Sequence, residues 1–262
     1  MDRYLRLLTI QLRASLLVSL QYRLEFFVES ASSLFWSATT FVPLFVVYDR
    51  RELVGGWSFG ESLLVLGFFM LLKSLIEGAV NPSLLKVTEM IRKGTLDFVL
   101  LKPADAQFLV STTKFDPSAI SGLVGSAALF GWGFRTLGHG PSMTGVLLSL
   151  LLLASAVALL YSLWILVIGA AFHVVKVDNL AYLFTSIFDA ARWPVSVFKG
   201  ALGFFFTFVI PLGLMTTWPA SALLGRLELP MALAGLGLSL GLSFGARRIW
   251  LSALAQYTSA SS

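Results

Sequence analysis

Apolar stretches about twenty residues long, each bounded by glycine, proline or charged residues, restrict the fold of this chain more than any other feature. A helix needs about 20 mainly apolar residues to cross the hydrocarbon core of a bilayer, where a backbone can satisfy its polar groups only internally. The first four stretches cover residues 26–48, 59–80, 119–137 and 146–172. Only 13% of the residues are charged, against about 25% in soluble domains. The sequence therefore predicts an all-α integral membrane protein.

Three further apolar stretches in the last third allow six or seven crossings, and the basic residues decide between the two. With six spans, residues 178–198 form the fifth crossing and residues 229–249 the sixth, so that both termini lie in the cytoplasm. Twelve basic residues then lie in inner segments and five in outer ones, as the positive-inside rule requires, whereas seven spans would place Arg247 and Arg248 outside. The inner twelve are Arg3, Arg6, Arg13, Arg23, Lys86, Arg92, Lys93, Lys102, Lys114, Lys176, Arg247 and Arg248; the outer five are Arg50, Arg51, Arg135, Lys199 and Arg226; and at membrane depth lie Lys73 and Arg192.

Residues 199–225, between the fifth and sixth spans, are too apolar for a solvated loop. Proline removes a helical hydrogen bond, so Pro211 is expected to break a helix near the middle of this segment and Pro219 to end it. We expect two short helices that dip into the outer leaflet and return, a re-entrant arrangement that needs cover from protein or an aqueous cavity. The alternative is a single proline-kinked span, which would keep residues 178–198 on the inner side.

Residues 1–25 are predicted to form an amphipathic helix that lies in the membrane surface, ahead of a single transmembrane domain over residues 26–262. Arg3, Arg6 and Arg13 recur there at roughly helical spacing among leucines, as in helices that bind headgroups through a basic face. The net charge of +5 is scattered between apolar runs and forms no dense basic patch. Membrane lipid, and not nucleic acid, is therefore the expected counter-charge.

The longest hydrophilic interval, residues 81–118, lies between the second and third spans and contains the string EMIRKGTLDFVLLKP. Residues 84–93 have a helical pattern, with apolar side chains on one face and charged ones off it. Gly94 is expected to end that helix, and a second short helix containing Asp97 is expected to stop before Pro103. The segment is either a short amphipathic element pressed against the inner surface or a solvated connector held by headgroups.

Residues 81–118, which we call the charged segment, contain a motif after the second span. The motif is Arg92-x-Gly94-x-Leu96-Asp97-x-x-Leu100-x-Lys102-Pro103. With this motif, the basic surface helix before span one, TFVIPLGLMTTWPASALLG near the end and the closing RRIWLSALAQYTSASS, the chain resembles the permeases of ABC-2-type ABC exporters. It is most similar to the bacterial six-span subgroup of ABC-2 family transporter proteins. The resemblance covers essentially the whole chain.

The resemblance implies a mechanism driven by a partner subunit. In such permeases the segment between spans two and three is a coupling helix that docks in a groove of a separate ATP-binding subunit and passes a rigid-body movement to the bundle. The charged motif residues would dock or orient this helix, and the glycine and proline would set its bends. The residues with these implied roles are Arg92, Gly94, Leu96, Asp97, Lys102 and Pro103.

The sequence contains no G-x-x-x-x-G-K-[ST] loop for cradling phosphates, so the chain is not expected to be an enzyme or to bind a cofactor. ATP and Mg²⁺ are expected on the partner ATPase. The implied assembly, in the cytoplasmic (inner) membrane, has two ATPase subunits and two permeases, identical or paralogous. The absence of cysteine and the separation of His139 from His173 also argue against a metal site.

Charged and aromatic residues inside the predicted spans are candidates for a substrate pathway. Asp189 and Arg192, spaced i and i+3 late in span five, are expected to neutralise each other facing the bundle interior or an outer cavity, whereas Lys73 and Glu77 in span two are interpreted as a structural pair. Aromatic residues beside Pro211 are predicted to form an apolar outer gate. These residues are Phe204, Phe205, Phe206 and Phe208.

Small residues line one side of the last span. Gly237, Gly241 and Gly245 repeat every four residues and favour a close helix approach, either within the chain or across a dimer.

Two other functions compete with export. A secondary transporter usually has an internal repeat and a midplane site on broken helices, and no convincing repeat is present in this sequence. A non-transporting membrane scaffold would have the same sequence features as a permease. The apolar spans and the phenylalanine run suggest an amphiphilic or lipophilic substrate, without identifying it.

Overall fold

The computed structural model of the protein describes residues 2–172 and 178–257, so that His173, Lys176 and the final five residues of the closing string lie outside it. Within the described residues the regular secondary structure is helical, which confirms the all-α prediction. The α-helices are α1 (Asp2–Gln21), α2 (Arg23–Tyr48), α3 (Phe59–Leu75), α4 (Asn81–Lys93), α5 (Asp97–Leu100), α6 (Ala106–Ser111), α7 (Ile120–Leu137), α8 (Met143–Ala171), α9 (Asp178–Phe188), α10 (Gly200–Phe204), α11 (Trp218–Leu223) and α12 (Leu229–Ala255).

Several helices continue into turns of different pitch. π-helical turns follow α3 and α10 and precede α11, and 3-10 turns lie before α7 and after α9. The π-helical turns are Ile76–Val80, Phe205–Val209 and Gly213–Thr217; the 3-10 turns are Pro117–Ala119, Asp189–Arg192 and Val195–Val197.

Fewer helices than the predicted six are long and apolar enough to cross a membrane. Gly200–Val209 and Gly213–Leu223 are bent by 68° and add a fifth candidate if the pair counts as one span. α7, at the predicted third span, is not a candidate because its glycines and Arg135 dilute its apolar residues. Six spans are therefore not confirmed. The four clear candidates among the described residues are Phe26–Tyr48, Phe59–Lys93, Met143–Ala170 and Leu229–Ala255.

The predicted fifth span, residues 178–198, is not one continuous helix. α9 ends at Phe188, a 3-10 turn follows, and Trp193 is extended at φ −102° and ψ 145°. The reason is local, because the ring of Pro194 disfavours helical backbone at the residue before it. The segment nevertheless packs into the bundle, where the ring of Phe188 stacks on that of Phe69 with centroids 5.3 Å apart.

Helix α3 lies at the centre of the bundle, and every one of residues 60–70 is buried. α7 packs along it closely, with Gly133 facing Leu64 and Gly67 facing the ring of Phe130. On the far side α8 packs against α11 and α12, and Trp250 of α12 is completely buried. Glycine at the contacts between α3 and α7 removes the side chain that would hold the two backbones apart.

The buried helix α3 continues into the charged segment without a break. A π-helical turn joins it to α4, and Pro82 lies in the first turn of α4, where its missing N–H is tolerated. The charged segment therefore begins as a direct continuation of α3. The prediction that Gly94 ends the helix is confirmed: Gly94 is left-handed, with φ 69°, and the amide of Thr95 donates to the carbonyl of Met90 at 2.9 Å.

One end of the bundle, which we call the loop end, is formed by residues 49–58, 138–142 and 225–228. The hydroxyl of Tyr48 donates to the carbonyl of Trp57 at 2.8 Å there. The opposite end, which we call the junction end, is formed by residues 94–119.

Both ends of the bent helix pair contact the loop end. Ser196 donates to the carbonyl of Gly55 at 2.7 Å before the pair, and Arg226 forms an ion pair with Glu61 after it. The break lies at Ile210, which is extended just before Pro211, as predicted. Pro219 does not end a helix but lies in the first turn of α11, so that prediction is wrong, because proline fits where no helical N–H bond is required.

The packing of α3 on α7 predicts opposite effects of alanine at two glycines of the same helix. A Cβ at Gly133 would lie 2.8 Å from Cδ2 of the fully buried Leu64 and 3.1 Å from the carbonyl oxygen of Gly60, whereas Gly131 faces open space. We expect Gly133→Ala to lower the free energy of unfolding in detergent by about 1–3 kcal/mol. Gly131→Ala should leave it unchanged or raise it by up to about 1 kcal/mol. Equal effects of the two changes would contradict this packing.

Candidate functional site

The junction end is held together by an ion pair between residues 142 positions apart. Arg247 of α12 donates from Nη2 to Oδ2 of Asp105 at 2.5 Å and from Nη1 to Oδ1 at 3.3 Å. The same carboxylate caps α6 by accepting from the amide of Phe108 at 2.9 Å. Burial pushes the pKa of Asp105 upward, but the Arg247 guanidinium and the Phe108 amide outweigh it and hold the pKa below its ordinary value.

Helix α6 is also tied to α8 by a chain of hydrogen bonds. Nη1 of Arg247 donates to Oε1 of Gln107 at 2.7 Å, and Nε2 of Gln107 donates to the hydroxyl of Tyr161 at 3.0 Å. Ser111, one turn further along α6, lies 2.7 Å from the same hydroxyl. The two long helices α8 and α12 are thus connected to the charged segment through one polar network.

Helix α1 lies against this network. Arg3 donates to the carbonyl of Pro103, and the amide of Asp105 donates to the hydroxyl of Tyr4 at 3.3 Å. The ring of Tyr4 meets that of Phe108 edge to face, with centroids 4.8 Å apart. The N-terminal helix is therefore packed on the junction end of the protein.

The predicted coupling residues occupy the outer part of the same region. Arg92 and Lys102 are exposed, and Leu96 is completely buried beneath them. Asp97 lies close to Tyr257, beyond the end of α12; burial and then this carboxylate raise the pKa of the tyrosine hydroxyl above its ordinary value. The structure thus brings the motif together with the C-terminal end of the bundle.

Two apolar side chains at the short helix α5 are exposed, Phe98 within the helix and Leu101 just after its end, and the sequence analysis missed them. Phe98 is 69% exposed and Leu101 is 81% exposed, while Val99 between them is buried. We use the name α5 patch for these two side chains and the exposed basic residues Arg92 and Lys102 of the same segment. One sequence signal pointed to them: Phe98 and Leu101 are large apolar residues in a short charged stretch whose other apolar residues already supply a buried side.

Charged residues of α3, of the π-helical turn after it and of the 3-10 turn after α9 form a second cluster, which includes the predicted pair. Nη2 of Arg192 lies 3.7 Å from Oδ2 of Asp189, so the two residues pair as predicted. Nζ of Lys73 lies 3.6 Å from Oδ1 of the same carboxylate. Lys73 is 3.9 Å from Glu77 in turn. A cleft of about 500 Å³ lies beside Lys73 and Glu77, with Glu29 of α2 on its far wall. The ion pairs join α3 to the segment after α9.

The four phenylalanines of the predicted gate do not meet at one point. Phe206 is buried against the ring of Phe198, with centroids 4.7 Å apart, and Phe205 lies beside it. Phe204 and Phe208 contact each other on the exposed side of their helix.

The glycine stripe of α12 makes no close contact within the part of the chain that the structure describes. A Cβ added at Gly237, Gly241 or Gly245 would meet no atom within 4 Å. The glycine of this helix that does approach a neighbour is Gly235, where an added Cβ would lie 2.6 Å from Cδ1 of Leu214, and the sequence analysis missed it. Of the two predicted uses of the stripe, contact within the chain is therefore wrong for the described residues.

Comparison with known proteins gives one match. A family model described as ABC-2 family transporter protein matches residues 34–261. No curated protein and no solved structure matches the chain.

The pair between Asp105 and Arg247 predicts a measurable coupling energy. We expect Asp105→Asn and Arg247→Gln each to lower the free energy of unfolding, and the double variant to lose about 1 kcal/mol less than their sum, because the pair is two-pronged but partly exposed. The exposed pair Glu89 and Lys93 on α4 is the control and should give additive effects. Because the pKa of Asp105 is lowered by folding, its contribution should persist above the ordinary carboxyl pKa and disappear as the pH falls through the lowered value. Additive loss at Asp105 and Arg247 would contradict the coupling.

Proposed function

The chain belongs to the ABC-2 transporter family and is a multi-pass permease component of an ABC transporter, and we propose that it exports an amphiphilic or lipophilic substrate across the cytoplasmic membrane. Membership implies partnership with an ABC ATPase subunit. We place ATP and Mg²⁺ on that subunit, and we propose that two copies of it act on two permeases, identical or paralogous.

The observation that carries the coupling proposal is the α5 patch. Two large apolar side chains, Phe98 and Leu101, are exposed where the family resemblance expects the ATPase to dock, and Arg92 and Lys102 are exposed basic residues of the same segment. Apolar anchors combined with charged residues are the usual composition of a protein interface. Leu96 and Val99 of the same segment belong to the buried core. We therefore assign ATPase docking to the α5 patch, with Gly94 and Pro103 at its two bends.

Movement of the docked segment can reach the bundle by two routes. One is the continuous helix from Phe59 to Lys93, whose buried part lies at the centre of the bundle. The other is the polar network from Asp105 to Arg247 on α12 and through Gln107 to Tyr161 on α8. Rigid elements joined by charge-assisted hydrogen bonds suit the transmission of a rigid-body movement.

For topology we propose six passes with both termini in the cytoplasm and residues 199–225 re-entrant. The contacts of Ser196 with Gly55 and of Arg226 with Glu61 support this, since both ends of the bent pair are then at the same face. Residues 178–198 would make the fifth pass as a broken segment. Lys73 and Asp189 would then lie at membrane depth, where ionisable groups commonly mark a substrate pathway.

For the substrate path we propose the cleft beside Lys73 and Glu77. Asp189 and Arg192 do not line this cleft but are linked to it through the ion pair of Asp189 with Lys73, and we propose the phenylalanine run as a separate outer gate. A second permease would complete the path, since only 6% of the apolar part of α2 is buried by this chain. The glycines of α12 that face open space are available for the same contact.

The docking proposal predicts loss of coupled ATP turnover. We test two double variants in the lipid-reconstituted complex, Phe98→Ala with Leu101→Ala and Arg92→Ala with Lys102→Ala. We expect each to lower ATP turnover and ATPase association at least about tenfold, because each removes anchor residues of the interface. The matched control replaces Leu53 and Arg51 by alanine, an exposed apolar and basic pair at the loop end.

Thermal unfolding of each permease variant should match that of the wild type, because the altered side chains are exposed. Unchanged association and turnover in both patch variants would exclude docking at this surface. Turnover without transport of any amphiphile would favour a scaffold role instead.

Single cysteines test the topology cleanly, because the natural chain contains none. In the re-entrant arrangement, Lys199→Cys and Glu228→Cys both react with a membrane-impermeant maleimide in intact cells, and Lys102→Cys reacts only after permeabilisation. A single kinked span would place Lys199 and Glu228 on opposite sides, so that only one of them would react from outside. All three residues are exposed, which makes the labelling a measure of sidedness.

A further inference from the structure

An apolar groove of about 430 Å³ lies between α1 and the junction end of the bundle. Leu12 and Leu16 of α1 form one wall, Leu75 and Ala79 another, and Phe115 and Ile120 close it. The groove is at the depth where a helix that enters the hydrocarbon near Phe59 would leave it, since about 20 residues cross the core. The mainly apolar lining suits an acyl chain, which needs no hydrogen-bond partner.

The groove has two charged residues in its lining, and they carry opposite signs. They are Arg13 of α1 and Asp116 in the turn before α7. Within the described residues neither forms an ion pair, with the other or with any third group. Among the residues that the structure describes, the carboxylate of Asp116 accepts one hydrogen bond, from the amide of Ser118 at 2.9 Å, which leaves acceptor capacity free.

Helix α1 is held over the groove by contacts that involve neither Arg13 nor Asp116. The amide of Phe115 donates to Oγ of Ser15 at 3.0 Å, and Tyr4 contacts the amide of Asp105. Leu12, Arg13 and Leu16 are all exposed in the chain as described, although they line the groove. The groove therefore has a fixed wall whose outer surface is both apolar and basic.

We propose that this groove binds one phospholipid with a primary ammonium headgroup, phosphatidylethanolamine. The acyl chain would occupy the apolar groove, the phosphate would bind Arg13, and the ammonium would donate to Asp116. A choline headgroup carries the same charges but has no N–H to donate, and a glycerol headgroup offers no positive charge to Asp116. The proposal concerns a resident lipid and does not rest on the exported substrate.

The test measures lipid retention by the purified full-length chain with native mass spectrometry. Phosphatidylethanolamine, phosphatidylcholine and phosphatidylglycerol with identical acyl chains are supplied in equal amounts. We expect the wild type to retain phosphatidylethanolamine about tenfold over the other two, the effect of one charge-assisted hydrogen bond. Asp116→Asn should abolish this preference. It should keep the hydrogen bond from the amide of Ser118, because the asparagine side-chain oxygen also accepts from that amide.

Arg13→Gln should lower the retention of all three lipids, since the phosphate is common to them. Asp49→Asn and Arg51→Gln, exposed charges at the loop end, are the matched controls and should retain the preference. Equal retention of the three lipids by the wild type would overturn the proposal. A preference for phosphatidylglycerol would also overturn it and would assign the groove to an anionic lipid. A preference for phosphatidylethanolamine that survives Asp116→Asn would overturn it as well, because Asp116 would then not select the headgroup.

Discussion

The continuous helix from Phe59 to Lys93 is the element on which the rest of the structure depends. Its first part is completely enclosed by protein, and its last part carries Glu89, Arg92 and Lys93 into an exposed, charged region. A helix can make this passage because its backbone hydrogen bonds are internal and do not change with the surroundings. The π-helical turn after Leu75 shifts the register of side chains at the point where the environment changes from apolar to polar.

Charge pairing explains how the remaining elements are arranged around that helix. Charged groups are costly to bury unless they are paired, and Lys73 and Arg192, on two different elements, share the carboxylate of Asp189. At the junction end the pair between Asp105 and Arg247 has the same effect, because it ties the start of α6 to α12. Both sets of contacts connect elements that are distant in the chain, α3 with the turn after α9 and α6 with α12.

Local backbone chemistry accounts for most of what could be predicted. Gly94 ends α4 because only glycine adopts the left-handed conformation without strain. Pro211 breaks the apolar segment before α11 because a proline disfavours helical backbone at the preceding residue, and Ile210 is accordingly extended. The prediction that Pro219 ends a helix was wrong, since Pro219 lies in the first turn of α11, where proline is tolerated. The α5 patch was missed because exposure of Phe98 depends on which other residues already fill the space beneath it.

The membrane class, the all-helical architecture and the family could be inferred from the amino-acid sequence alone, because apolar length, helical period and motif order are properties of neighbouring residues. The same holds for the position of the charged segment between the second and third apolar stretches. In contrast, the pairing of Asp105 with Arg247, the close approach at Gly235 instead of Gly237, and the contact of both ends of the bent pair with the loop end became known from the three-dimensional structure. Those outcomes depend on packing between segments far apart in the chain, and no local pattern records which segments will meet.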